Sequence, residues 1–171
     1  MNYFNQFSER LNFRKLTKAD IPQWIQFFKN NDRLKYLGMD LTVADEVHAE
    51  DWIRAQFLRY EKSGLGQLAM EVKGTAELVG LGGIIERQLL CKKEYEIAYS
   101  VIPKYWGNGY ATELAKTMMR YGELNIDTNR FISIIEKSNA ESANVAMKNG
   151  MKIMFDTQYL GMDVNVFGKE F

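Results

Sequence analysis

The spacing of apolar and polar positions changes several times along the chain. "LNFRKLT", from Leu11 to Thr17, alternates and predicts a first strand. Thr17 and Asp20 then stand three apart in the pattern of a capping box, and Ile21, Trp24, Ile25 and Phe28 follow at helical spacing. Pro22 falls in the first turn of that helix, where its missing N–H costs nothing. "KNNDRLKYLGMD" has no period and predicts a loop or broken helix. "DEVHAEDWIRAQFLRYEK" predicts a second helix with Trp52, Ile53, Phe57 and Tyr60 on one side, ended by "SGLG". The period then shortens. "QLAMEV", "ELVGLGGII" and "YEIAYSVI" read as strands, with a Gly-Thr turn between the first two and Pro103 closing the third. A helix from about Tyr110 to Leu124, a strand at "RFISIIE", a helix at "NAESANVAMKN" ended by Gly150, and strands at "KIMFDTQY" and "MDVNVFGK" complete the chain. The order β, α, α, β, β, β, α, β, α, β, β predicts a mixed sheet with helices on its faces, an α/β or α+β fold. No repeat, low-complexity tract or linker divides the sequence, so residues 1–171 read as a single domain.

Composition narrows the chemistry. A 46% hydrophobic, 26% charged chain of 171 residues is that of a water-soluble globular domain with a real core. Lys plus Arg and Asp plus Glu are both 22, which argues against nucleic acid held through its phosphates. No segment is long and apolar enough for a membrane span, and "MNYFNQFSER" lacks the pattern of a signal peptide, so the expected compartment is the cytoplasm. Cys91 is the only cysteine and His48 the only histidine, which leaves no disulfide and no Cys/His metal site. His48, in "DEVHAED", is expected on a solvated helix face, and Cys91 in a hairpin loop. Trp24, Phe27, Phe28, Trp52 and Phe57 are expected in the core, because helical spacing already accounts for most of them.

"YWGNGYATE", Tyr105 to Glu113, sets two glycines one residue apart between a strand and a helix. A plain turn is one explanation. The other is close approach of something anionic: the first N–H groups of a helix are unpaired and carry positive partial charge, and a missing Cβ lets a pyrophosphate reach them. The loop is neither Gly-x-Gly-x-x-Gly nor followed by Gly-Lys-Ser/Thr, so it is neither the usual dinucleotide fingerprint nor a P-loop.

Together with "EIAYSVIP" before it and "NAESANVAMKNGMK" after it, this segment resembles the GNAT superfamily of acetyl-CoA-dependent N-acetyltransferases, and within it the branch of the ribosomal-protein N-terminal acetyltransferases. The superfamily loop reads Gln/Arg-x-x-Gly-x-Gly/Ala; here Trp106, Gly107, Asn108, Gly109, Tyr110 and Ala111 occupy that register, with Trp106 in place of the Gln or Arg. The resemblance spans nearly the whole chain and implies a mostly antiparallel sheet of about seven strands. It implies acetyl-CoA as cosubstrate, with no metal. Ser100, Val101, Ile102, Trp106, Gly107, Asn108, Gly109, Tyr110, Ala111, Thr112 and Asn139 would form the cofactor site.

Acetyl transfer requires an amine to lose a proton and a thiolate to be stabilised. Glu96, on the strand feeding the loop, is the candidate base; the competing explanation is a partly exposed strand residue that orders water or pairs with a cation. Ser142, three residues beyond Asn139, is the candidate donor to the thiolate; alternatively Ser138 and Glu141 form a capping box that includes Asn139. Tyr36 and Tyr159 are expected at the acceptor. The expected partners are therefore acetyl-CoA and an amine, in a monomer or homodimer. A non-catalytic acyl-CoA-binding module is the alternative.

Overall fold

The computed structural model describes residues 2–171. Its strands are β1 (Asn5–Phe7), β2 (Leu11–Arg14), β3 (Gly66–Val72), β4 (Leu78–Leu89), β5 (Lys92–Val101), β6 (Arg130–Glu136), β7 (Lys152–Tyr159) and β8 (Met162–Glu170). Its helices are α1 (Ile21–Trp24), α2 (Asp45–Ser63), α3 (Tyr110–Asn125) and α4 (Ala140–Lys148). All eight strands form one sheet in the order β1-β2-β3-β4-β5-β6-β8-β7, antiparallel except between β5 and β6. The eighth strand is β1, a three-residue edge strand too short to show a period.

Three local expectations change. The first helix is broken into short turns, with 3-10 turns at Lys18–Asp20 and Ile25–Phe27 flanking α1. A 3-10 turn brings side chains three apart into line, and Trp24 and Phe27 stack there with centroids 4.4 Å apart. His48 is half-buried rather than solvated. Its ring stacks on Phe28 at 5.6 Å and its Nε2 lies 2.8 Å from the Asp40 carbonyl oxygen, because the loop before α2 folds back onto the helix. Finally, α4 is capped by Asn139, not Ser138. The Ser138 N–H turns to Glu136 at 2.8 Å, while Asn139 Oδ1 accepts the Ser142 N–H at 3.2 Å.

The hairpin joining β4 and β5 is longer than its apolar pattern. Leu89 pairs with Lys92, and Leu90 and Cys91 between them both take left-handed backbone, with φ of +48° and +62°. Two such residues match a right-twisted hairpin. The extension brings Arg87 opposite Glu94 and Ile85 opposite Glu96.

Register assigns the two faces of the sheet. Gln67 on β3 is reached by Trp52 Nε1, whose N–H donates to its Oε1 at 2.6 Å, so its side chain lies on the α2 face. Gln67 pairs with Gly83, and Gly83 with Ala98. Directly opposed residues share a face, so Glu96, Ala98 and Ser100 also lie under α2. Gly82 points the other way, and a Cβ there would sit 2.7 Å from the Leu114 side chain of α3. The missing side chain lets α3 lie flat on β4. The core fills both layers, with Trp24, Ile53 and Leu81 buried on the α2 side and Leu68, Leu114, Met118 and Phe131 on the other.

Candidate active site

The sheet opens where β5 meets its only parallel neighbour. Glu96 opposite Ile132 is the single paired position between β5 and β6. Ser133 Oγ donates to the Ile97 carbonyl at 2.8 Å just beyond it. Past that bridge the strands separate. Ile102 donates its N–H to Val79 of β4 at 2.9 Å. Main-chain groups alternate in direction along a strand, so Ser100 also turns to β4, while Tyr99 and Val101 turn to the gap. The Val101 carbonyl is taken by the Trp106 indole N–H at 2.8 Å.

Two cavities meet in this gap. One, of about 390 Å³, is lined by Ser100, Val101, Trp106, Gly107, Gly109 and Tyr110, among others, with Ala111 and Asn139 also on its wall. The other, of about 440 Å³, lies under α2 and contains Tyr36, Trp52, Arg59, Arg87, Glu96 and Tyr159. Leu37, Tyr99, Ser100, Asn139 and Ser142 line both.

The glycine loop is built for exposed N–H groups. Gly107 and Gly109 have φ of +79° and +78°, backbone that a side chain resists, and Gly109 opens the sixteen-residue α3. The loop is held from outside by a residue of its own motif. Glu113 accepts from Ser8 Oγ at 2.6 Å, from the Arg10 backbone N–H at 2.8 Å and from Arg10 Nε at 2.7 Å. Arg10 in turn donates to the Asn108 carbonyl at 2.9 Å. Inside the cavity, the Arg33 guanidinium lies 3.7 Å over the Trp106 ring and pairs with Glu141 at 3.1 Å. Lys148 adds a second cation to the same wall.

Three of the residues expected at a cofactor stand back from this cavity. Ile102 is buried and its N–H is used by β4. Asn108 directs its amide to the Tyr105 carbonyl at 2.9 Å, and the Thr112 carbonyl accepts from Asn149 at 3.4 Å.

In the second cavity Glu96 is buried, and its Oε2 lies 2.6 Å from Arg87 Nε. Burial opposes the charge of Arg87, but the charge of Glu96 and its hydrogen bond outweigh it and raise the Arg87 pKa. Arg87 was outside the expected strand, and only the hairpin register set by Leu90 and Cys91 brings it to Glu96. Tyr99 donates its hydroxyl to the Ser142 carbonyl at 2.9 Å. Burial first, and then the charge of Glu96, push this phenol above its usual range against a hydrogen bond from Ser133, so it remains a donor. Tyr36 and Tyr159 line the same cavity as Glu96. Cys91 is exposed at its hairpin turn.

Acid should loosen the anchor of the glycine loop. Burial works to raise the Glu113 pKa, but the hydrogen bonds from Ser8 and Arg10 and the Arg10 charge win and lower it. Asp20 behaves alike: burial raises its pKa, and Arg14 and Thr17 lower it further. Groups depressed on folding stabilise the protein above their ordinary range, about pH 4, and that contribution is lost as pH falls through the lowered values. Urea unfolding of the protein and of Glu113→Gln at pH 7 and pH 3 checks this. The variant should lose less stability between the two pH values than the parent.

Among the described residues no helix is long and apolar enough to cross a membrane, and no group of three or more His, Cys, Asp and Glu is placed to hold a metal.

Comparison with known proteins bears on the same segments. A family model described as an acetyltransferase (GNAT) domain matches residues 10–152. The chain is 30% identical to the uncharacterized Bacillus subtilis protein YkkB over 63% of its own length and 62% of YkkB, so that match spans less than two thirds of the relative. It is 26% identical to the uncharacterized N-acetyltransferase YoaA of the same organism over 85% of this chain and 81% of YoaA. In structure it is similar to a Salmonella typhimurium acetyl transferase that modifies the N-terminal serine of a 50S ribosomal subunit protein, with a TM-score of 0.77, 17% identity and 96% of each chain covered.

Proposed function

The chain belongs to the acetyltransferase (GNAT) family, and from that premise we propose that it moves the acetyl group of acetyl-CoA onto a primary amine by direct attack in a ternary complex. The observation that supports this best is the meeting of two cavities at the β5–β6 gap, one walled by the glycine loop and the other holding a buried carboxylate. A protein N-terminus and a small-molecule amine are the two acceptor classes. The first draws on the Salmonella neighbour.

In this reading the pyrophosphate sits on the N–H groups from Gly107 to Ala111, at the positive end of α3. Trp106 withdraws a side-chain donor from the loop, and Arg33, stacked on it, returns a cation to the same wall. The pantetheine arm runs along β5 and pairs with the main-chain groups of Tyr99 and Val101 that face the gap. The Val101 carbonyl is already used by Trp106, so the arm's contact there is with the Val101 N–H. The thioester then lies among Ser100, Asn139 and Ser142, three of the five residues that line both cavities.

The amine nitrogen attacks the thioester carbonyl carbon and its proton passes through water to Glu96, which lies two to four residues back along β5. Oε2 is held by Arg87, and Oε1 makes no hydrogen bond to the protein among the described residues. The C–S bond breaks, and the Ser142 hydroxyl donates to the departing thiolate. Tyr99 holds Ser142 in place through its carbonyl.

The test is thiol release from acetyl-CoA in the presence of a panel of amines and N-terminal peptides, with the product identified by mass spectrometry. Amine-dependent thiol release is expected. Tight CoA binding with no release above spontaneous hydrolysis for any amine would favour a non-catalytic binding module.

A further inference from the structure

The acceptor cavity contains a guanidinium that the proposed reaction does not use. Arg59 lies on α2, half-buried, and lines the cavity with Arg87, Glu96 and Tyr159. The other charges on this part of the sheet are matched. Arg130 of β6 is bonded to the buried Glu94 through both its Nε, at 3.0 Å, and its terminal nitrogen. Arg87 is bonded to Glu96. Arg59 forms no salt bridge among the described residues, and burial, then the charge of Arg87, depress its pKa. Three guanidinium groups thus face two carboxylates. The remaining acid of the cavity, Glu136, lies four residues along β6 from the Glu96 level, about 13 Å away, and accepts from Ser138.

A half-buried guanidinium without a counter-ion gains from a ligand that supplies one, and its fork of donors matches an oxyanion. Resting on the acetyl-transfer reading above, we propose that Arg59 forms an anion subsite and that the acceptor is a small primary amine carrying a carboxylate or phosphate. Glu96 does not block this, because its charge is covered by Arg87. The anion sits at the Glu96 level, while the thioester lies near Ala98 to Ser100, two to four strand residues further. The acceptor's amine and anion are therefore separated by roughly 7–13 Å. A cavity of about 440 Å³ holds such a molecule.

The experiment measures binding to the CoA-loaded protein by calorimetry, so that turnover is not required. The probes are 6-aminohexanoate against its uncharged amide, and 5-aminopentyl phosphate against pentylamine. Each anion should bind about tenfold or more tightly than its neutral partner, as a charge-assisted contact implies. The larger of the two ratios tells carboxylate from phosphate. In Arg59→Gln, and in Arg59→Met as a second variant that keeps the aliphatic stem, both ratios should fall to about one; Arg59→Lys should keep part of the preference. Melting curves establish that each variant is folded. Anions that bind no better than their neutral partners, or a preference that survives in folded Arg59→Gln or Arg59→Met, would overturn the subsite. A preference that depends on Arg59 without acetylation of any probe would leave the subsite standing and remove the transfer reaction. Acetylation of acid and amide with equal affinity would do the reverse.

Discussion

Replacing Glu96 by Gln is expected to lower kcat at neutral pH by about 10²–10⁴-fold, the usual worth of a positioned acid or base. The side chain keeps its shape and loses its ability to take a proton from the attacking amine. Two roles compete for this residue. Glu96 is the partner of Arg87, so its loss also strips a partly buried guanidinium of its counter-charge and should lower the melting temperature. The pH dependence separates the roles. An amine with a pKa of about 8–10 arrives mostly protonated at pH 7. If Glu96 is the base, the deficit of the variant shrinks as pH rises, because the amine arrives already deprotonated. If Glu96 only orders Arg87, the deficit stays constant across the same range while the melting temperature still falls. Ser142→Ala should cost less, because water can replace a weak donor beside a sulfur. A Glu96→Gln protein with parental kcat at neutral pH would remove Glu96 from the chemistry and leave the proton to a water chain.

Gly109→Val is expected to weaken CoA binding by at least about tenfold. Gly109 has a φ of +78°, and an L-residue in left-handed backbone costs about 1–2 kcal/mol, more for a β-branched one. Its side chain would also have to share the start of α3 with the incoming pyrophosphate. An added Cβ alone meets only Arg10, at 3.5 Å, so the folded protein itself has room. The strain should show as a lower melting temperature, and the blocked phosphate path as a loss of affinity in the protein that still folds. Calorimetry with CoA, beside a melting curve, checks this. A folded Gly109→Val protein with unchanged affinity would show that the phosphate lies elsewhere.

Much of this arrangement was legible in the chain because it depends on neighbours in sequence. Short apolar-rich runs such as "RFISIIE" and "KIMFDTQY" report strands, and three-four spacing through α2 and α3 reports helices, whatever those elements later touch. Gly107 and Gly109 could be read as a strand-to-helix loop for the same reason: left-handed backbone is a local requirement, and glycine meets it. The N-terminal edge strand and the broken first helix escaped, one because three residues carry no period, the other because aromatic stacking overrode helical spacing.

The site is different, because its members are far apart in sequence. Arg33 is carried to Trp106, Arg10 to Glu113, and Arg59 to the cavity of Arg87 and Glu96, only when the sheet places α2, the N-terminal loop and α4 around one gap. Cys91 could be placed in a hairpin loop, but the register that carries Arg87 to Glu96 is set by two left-handed residues, neither of them glycine, and so left no compositional signal. Whether a carboxylate is buried and paired, or a guanidinium is left over, depends on the sum of its neighbours in space. Periodicity reports which way a side chain points, while topology supplies what it meets there.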